Sequence, residues 1–330
     1  MFKVDLAIKF GSNEIIVYRK SFGIVAKVPA YLAIKREGKK IKVQATGKKA
    51  EVLLRASSQN VEVLCPIVNS EIVDEKMAVL LISEILKDVI QDRFLLSKLR
   101  ALVAVPSGMN EEQLIKIKHV LQESGINDVS FVINSVGARN MLDIDSQAHI
   151  MVVDIGKYLT DISILNEYNF TFGRTYFFGG ANMDKSITTF ISDNHGLKVS
   201  DRTSEMVKNE IASLYERDLN KIEYSGFDND KLVKHDITAN EIRVAIVGLY
   251  DKIFSFIEAI LKNLSKEVLQ DIYNFGIMFV GGASQIPGLY EYAKKKLDLQ
   301  VIVPDDPADC VINGVGKLMS SDKEFLKLNV

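Results

Sequence analysis

The chain has 330 residues, 47% of them hydrophobic and 25% charged, with a net charge of −2 at pH 7. That length suits two medium-sized cores, and the near-neutral balance gives no electrostatic case for a nucleic-acid partner. Cys65 and Cys310 match no metal or redox spacing and read as reduced thiols, Met1–Asp5 enters a strand-like pattern with no signal peptide expected, and no apolar run reaches the ~20 residues that span a bilayer.

In chain order, Val4–Phe10, Gly11 and Glu14–Arg19 read as strand, turn, strand. Gly23–Lys35 continues as one strand, Lys40–Gln44 as another, and Ala45–Leu54 as a short helix. Met77, Leu81, Ile85 and Val89 place a broad apolar face on a helix over Asp74–Asp92. Leu99–Val105 is a buried strand ended by Pro106-Ser107-Gly108. Asn110-Glu111-Glu112-Gln113 is a capping box, opening a helix that Gly125 closes. A strand over Val129–Asn134 and a helix around Val136–Leu142 follow.

Met151–Leu165 has an apolar strand ending in Asp154, a turn at Gly156, and a returning strand that starts at Thr160 and carries Asp161. A carboxylate at a strand end beside a glycine turn suits a phosphate–metal group. IKFGSNEIIVY near the N-terminus shares this layout, with Lys9 falling where Asp154 falls, which suggests an internal duplication. Beyond it lie a strand over Asn169–Phe177, the Gly179-Gly180 pair, and helices over Met183–Asn194 and Thr203–Tyr215. Lys208 and Glu210 are two apart on the second of these helices and point in different directions. Glu216–Asp236 is polar and irregular, with room for a small strand pair. A second capping box, Thr238-Ala239-Asn240-Glu241, opens a long helix to about Leu264. Its Phe254, Phe256 and Ile257 read as core, with a contact between chains as the other reading. Phe275–Val280 is a strand ending in Gly281-Gly282, followed by a helix after Pro287, a strand over Gln300–Val303 and a helix over Ala308–Met319. Strands and helices alternate throughout, which argues for α/β lobes with mixed sheets.

Several stretches carry a family likeness together: Ala104-Val105-Pro106-Ser107-Gly108, Met151–Gly156, Gly180 with Met183-Asp184, Arg202-Thr203 with Val207-Lys208, Gly281-Gly282 with Gly288-Leu289, and Gly314 with Gly316-Lys317. On these residues the chain resembles the ATPase fold shared by actin, heat-shock chaperones and sugar kinases, and within it the MreB-like bacterial actins that organise rod shape. The resemblance implies an α/β, actin-like two-lobed fold of duplicated mixed-sheet ribonuclease H-like domains. The first lobe would be residues 1–142, with a small subdomain at about 30–75, and the second 143–330, with a small subdomain at about 182–245. It implies ATP as cofactor, with Gly11, Ser12, Gly156 and Thr160 of the two hairpins at the phosphates, Lys208 and Glu210 at ribose and base, Gly281 and Gly282 at the adenosine, and Gly180 also in the nucleotide site. Asp154 would hold Mg²⁺ and, with Gln113, act in hydrolysis, while Phe94-Leu95-Leu96, between Arg93 and Lys98, would touch the membrane.

The departures from the family pattern fall on the chemistry. Lys9 replaces the aspartate that orients metal-bound water and would repel Mg²⁺; alternatively Lys9 or Lys157 would neutralise phosphate charge directly, so that ATP binds with little Mg²⁺ dependence. Gln113 replaces a glutamate; it can orient water but is no base at neutral pH. Gly156-Lys157-Tyr158-Leu159-Thr160 replaces a Gly-Gly-Gly-Thr-Thr turn, adding side chains where glycine lets backbone approach a phosphate. Ala181 and Asn134-Ser135-Val136 replace an acid and a Glu-Glu-Pro step. The expectation is a cytoskeletal protein with a degraded ATP site and weak or lost hydrolysis. It would form filaments by itself or with an intact MreB-type partner, in the cytoplasm at the inner membrane face. The competing expectations are an active ATP-hydrolysing filament protein, and a chaperone-type ATPase or a small-molecule kinase, the kinase having no apparent substrate-facing catalytic acid.

Overall fold

The computed structural model describes residues 3–11, 14–55, 61–90, 98–167 and 169–319. Two compact units emerge: Met1–Asp143 with Asp309–Val330, and Ile144–Ala308.

In the first unit, β1 (Lys3–Phe10), β2 (Glu14–Arg19) and β3 (Gly23–Pro29) form an antiparallel meander. The single strand expected over 23–35 is two strands. Pro29 ends β3, and its carbonyl accepts from Tyr31 N at 2.7 Å in a tight turn. The chain then enters a second sheet through β4 (Leu32–Glu37), β5 (Lys40–Thr46), the helix α1 (Gly47–Arg55) and β6 (Glu62–Leu64), in the order β5-β4-β6. A two-residue hairpin, β7 (Ile67–Val68) and β8 (Glu71–Ile72), precedes α2 (Glu75–Val89). Asp74 caps α2 by accepting from Met77 N at 3.0 Å. Then come β9 (Lys98–Val105), α3 (Glu111–Glu123), β10 (Asp128–Ile133) and α4 (Asn134–Arg139). The main sheet runs β10-β9-β1-β2-β3, with β9 and β10 parallel to β1.

The second unit repeats this plan. β11 (Ile150–Ile155), β12 (Thr160–Leu165) and β13 (Phe170–Tyr176) form an antiparallel meander. Helices α5 (Gly180–His195) and α6 (Asp201–Ile211) precede a hairpin of β14 (Lys221–Asp228) and β15 (Lys231–Thr238). Its eight-residue strands are the small strand pair for which the polar stretch from Glu216 to Asp236 leaves room. Thr238 and Glu241 form the capping box of α7 (Ala239–Leu261). Next are α8 (Lys266–Phe275), β16 (Ile277–Val280), α9 (Leu289–Leu297) and β17 (Val301–Ile302). The sheet order β13-β12-β11-β16-β17 matches the first unit strand for strand, with β16 parallel to β11 and β17 parallel to β16. The short likeness between the two hairpin sequences therefore reflects a whole repeated topology.

The last helix, α10 (Cys310–Leu318), belongs to the first unit rather than to the second lobe in which the sequence reading put it. It packs on β1, β2, β3 and β9 and crosses α4 closely. Each unit has its own core. β11 is buried along its length, as expected of a central strand covered on both faces. Phe254 and Ile257 of α7 are 2% and 0% exposed, and Phe256 stacks on Tyr176 with centroids 4.1 Å apart, so this helix face is core.

Candidate functional site

The turn between β11 and β12 is closed by Gly156 N donating to Leu159 O at 2.8 Å. It backs onto the start of α5. Gly180 N donates to Gly156 O at 3.0 Å, and Ala181 N donates to Lys157 O at 2.6 Å. Gly179 permits this approach, because a Cβ there would lie 2.5 Å from Gly156 O and 2.9 Å from Lys157 O. Gly179 N in turn donates to Asn182 Oδ1 at 2.9 Å. A helix start leaves its first N–H groups open for a cap or an anion, and here the turn takes two of them. Thr160 is fully buried, and its hydroxyl donates to Phe178 O at 2.7 Å, so it braces the turn from behind. Leu159 is also buried, at 8%, whereas Tyr158 is 38% exposed.

Asp154 and Asp161 sit directly opposite each other across β11 and β12, so their side chains share one face of the sheet. They are 7% and 4% exposed. Asp161 accepts from the Thr175 hydroxyl at 2.6 Å and the Ser163 hydroxyl at 3.3 Å. Gly281 closes over Asp154. Its φ is +89°, and a Cβ would lie 2.4 Å from Asp154 Oδ1. Among the described residues no group of three or more His, Cys, Asp or Glu side chains is placed to hold a metal. The fit for Mg²⁺ in this unit is therefore limited to the two carboxylates, with the remaining ligands left to water and phosphate.

Four charged side chains tie the turn, α5 and α6 together. Lys157 Nζ lies 2.8 Å from Glu205 Oε1, and Lys208 Nζ lies 2.6 Å from Asp184 Oδ1. Lys208 also donates to Gly180 O at 3.2 Å. Burial raises the Asp184 carboxyl above the ordinary aspartate value, against the opposing pull of Lys208. Burial lowers the Lys157 ammonium, but the bond to Glu205 outweighs it and leaves Lys157 above the ordinary lysine value. Beside this network is a cavity of about 150 Å³ lined by Met183, Lys208, Asn209, Tyr250, Gly282 and Ile286, among others. The buried Tyr250 hydroxyl donates to Ala283 O at 2.7 Å, fixing the backbone next to Gly282. Its phenol is driven far above its ordinary range by burial. Lys208 and Gly282 thus meet at one cavity, while Glu210 is exposed and lies away from it. Sequence reasoning missed Asn209 and Glu205. Glu205 had a signal, since it lies three residues before Lys208 and hence on the same helix face.

In the first unit, Lys9 is 9% exposed and lies across from Ile16, which lies across from Lys27. All three share one sheet face with Glu14, and Lys27 is paired with Asp309 at the start of α10. Burial raises the Glu14 carboxyl above its ordinary value, with Lys27 lowering it, Asp309 raising it and Lys9 lowering it. Gly11 N donates to Glu14 O at 2.7 Å, closing the first hairpin, while Ser12 lies outside the described residues. Gln113 works as a helix cap. Its Oε1 accepts from Asn110 N at 2.8 Å, and its Nε2 donates to Glu71. Phe94, Leu95 and Leu96 also lie outside the described residues.

The family model described as MreB/Mbl protein matches residues 3–327. The cell shape-determining protein MreB of Escherichia coli is 27% identical over 326 residues, covering 97% of this chain and 94% of that protein. The cell shape-determining protein Mbl of Bacillus subtilis is 24% identical over 328 residues, covering 97% of each. Among solved structures, MreB5 of Spiroplasma citri bound to ADP matches with a TM-score of 0.85 at 23% identity, covering 97% of this chain and 99% of that one. A MamK double helical filament matches with a TM-score of 0.80 at 21% identity, with the same coverage. The fold is thus the actin-like α/β fold with duplicated mixed sheets, and the chain belongs to the MreB/Mbl family.

Proposed function

We propose that this chain is a cytoskeletal protein of cell-shape organisation that assembles into filaments, alone or with an intact relative, and holds an adenine nucleotide while hydrolysing it weakly. The match to cell shape-determining proteins along nearly the whole chain carries the cytoskeletal role. The nucleotide assignment rests on Lys208 and Gly282 meeting at one cavity. Lys208, Asn209 and Gly282 would hold the nucleoside end of ATP, and ATP supplies the phosphoanhydride that such a site cleaves. Asp154 and Asp161 would hold a divalent cation.

We infer weak hydrolysis from two departures from the family pattern. Lys9 stands where that pattern carries the aspartate that orients metal-bound water. Gln113 directs both ends of its amide to Asn110 and Glu71, so its geometry serves the start of α3. We place the protein at the inner face of the cell membrane as a peripheral component. No helix among the described residues is long and apolar enough to cross a membrane. Sedimentation and electron microscopy of the purified chain with ATP, alone and mixed with an intact MreB, test the assembly reading. Filaments, or entry into the partner's filaments, are expected. A chain that stays in the supernatant in both cases contradicts it.

A further inference from the structure

We propose that Lys157 is the counter-charge for the phosphate end of the bound nucleotide, held in reserve by Glu205 and released to the ligand on binding. This inference rests on the nucleotide reading above and names the residue that would set its preference for phosphorylated ligands. Lys157 stands in the turn whose carbonyls hold the start of α5, and its ammonium pairs with Glu205 at 2.8 Å. Glu205 lies three residues before the cavity-lining Lys208 on the same face of α6, and Asp184 of α5 pairs with that lysine. Two cations and two carboxylates therefore form neighbouring pairs with no net charge, and Lys208 is the one of the four that lines the cavity.

The two pairs are unequal. Lys208 and Asp184 are 15% and 8% exposed, and Lys208 also donates to Gly180 O, so this pair is built into the wall. Lys157 and Glu205 are 28% and 38% exposed, and Glu205 also borders an open groove beside β14. A half-exposed ion pair contributes little to stability, so its exchange for a stronger pair is cheap. A phosphate oxygen is a strong acceptor for an ammonium, and Glu205 can turn to solvent through the groove. The N–H groups of Gly180 and Ala181 are already taken by the turn, which leaves Lys157 as a charged donor of this turn able to change partner.

The test is equilibrium binding of ATP and of adenosine to the full-length protein in EDTA, so that no divalent cation takes part, with the wild type, Lys157→Met, Lys157→Arg and Glu205→Gln. The wild type is expected to bind ATP more tightly than adenosine by about tenfold, the scale of one charge-assisted contact. Lys157→Met should abolish that preference and leave adenosine affinity unchanged. Lys157→Arg should keep it, and Glu205→Gln should enlarge it by freeing the cation. Thermal melting within about 2 °C of wild type is expected for each variant, as for other half-exposed pairs. An unchanged preference for ATP in Lys157→Met overturns the inference while leaving the nucleotide reading intact. Failure of the wild type to bind either ligand overturns the nucleotide reading and this inference with it.

Discussion

Gly281 and Gly282 are neighbours with different constraints. Gly281 sits at φ +89°, and a Cβ would lie 2.4 Å from Asp154 Oδ1 and 2.5 Å from Ile155 O. Gly282 has no atom within 4 Å of a Cβ position, and it lines the cavity. Gly281→Ala should therefore destabilise the protein by at least about 2 kcal/mol, from left-handed strain plus overpacking. Gly282→Ala should stay within about 0.5 kcal/mol of wild type. Urea unfolding of the two variants separates a glycine needed by the fold from one that the cavity leaves open. The same distinction limits what single residues revealed in advance. Lys208 and Gly282, named on the family likeness alone, both line the cavity, whereas Thr160, named on the same likeness, is buried with its hydroxyl bonded to Phe178 O. Asn209 carries no motif and reaches the cavity only because of how α6 is rotated.

At the scale of elements, caps were the most legible feature, because they are local. Both capping boxes form as the sequence predicts, at Asn110–Gln113 and Thr238–Glu241. Glu241 is also bonded to His195, at 3.0 Å. Burial raises its carboxyl, but the bonds from Thr238 and His195 outweigh this and hold it below the ordinary value of 4.5. A carboxyl lowered on folding stabilises above its unfolded pKa, and that stabilisation is lost as the pH falls through the folded value. The difference in unfolding free energy between wild type and Glu241→Gln should shrink as the pH falls below about 4.5.

Long-range packing was the least legible. The helix α8 was missed because nothing in Asn263-Leu264-Ser265 breaks the polar stretch after α7 except the Ser265 cap, which accepts from Val268 N. The return of α10 to the first unit depends on a crossing that no local pattern shows. A Cβ on Gly314 would lie 1.8 Å from Gly137 O, and one on Gly316 would lie 2.5 Å from the Tyr18 ring. Gly314→Ala should accordingly cost about 3 kcal/mol or more by forcing α4 and α10 apart, measurable by chemical denaturation.

At the scale of the whole molecule, the repeated sheet order explains why a likeness of only a few residues between two hairpins was informative. A strand–turn–strand whose central strand is buried on both faces constrains its own neighbours, and both units use the same five-strand arrangement. The departures from the family pattern do not disturb that arrangement. Lys9 stays in register on β1, and Lys157 occupies a turn that still closes, so the scaffold accommodates both side chains. Membrane contact belongs to this scale as well. The proposed contact through Phe94-Leu95-Leu96 predicts that a Phe94→Ser/Leu95→Ser protein loses most of its sedimentation with anionic liposomes. Equal sedimentation of wild type and variant would remove those residues as the anchor.

The central claim is that a family scaffold is retained while its hydrolytic chemistry is weakened. Phosphate release by the purified chain, with ATP and Mg²⁺ under assembly conditions and alongside an intact MreB, tests it most directly. The account predicts release slower by about a hundredfold, the low end of what a positioned acid–base group contributes. A turnover equal to that of the intact relative would contradict it.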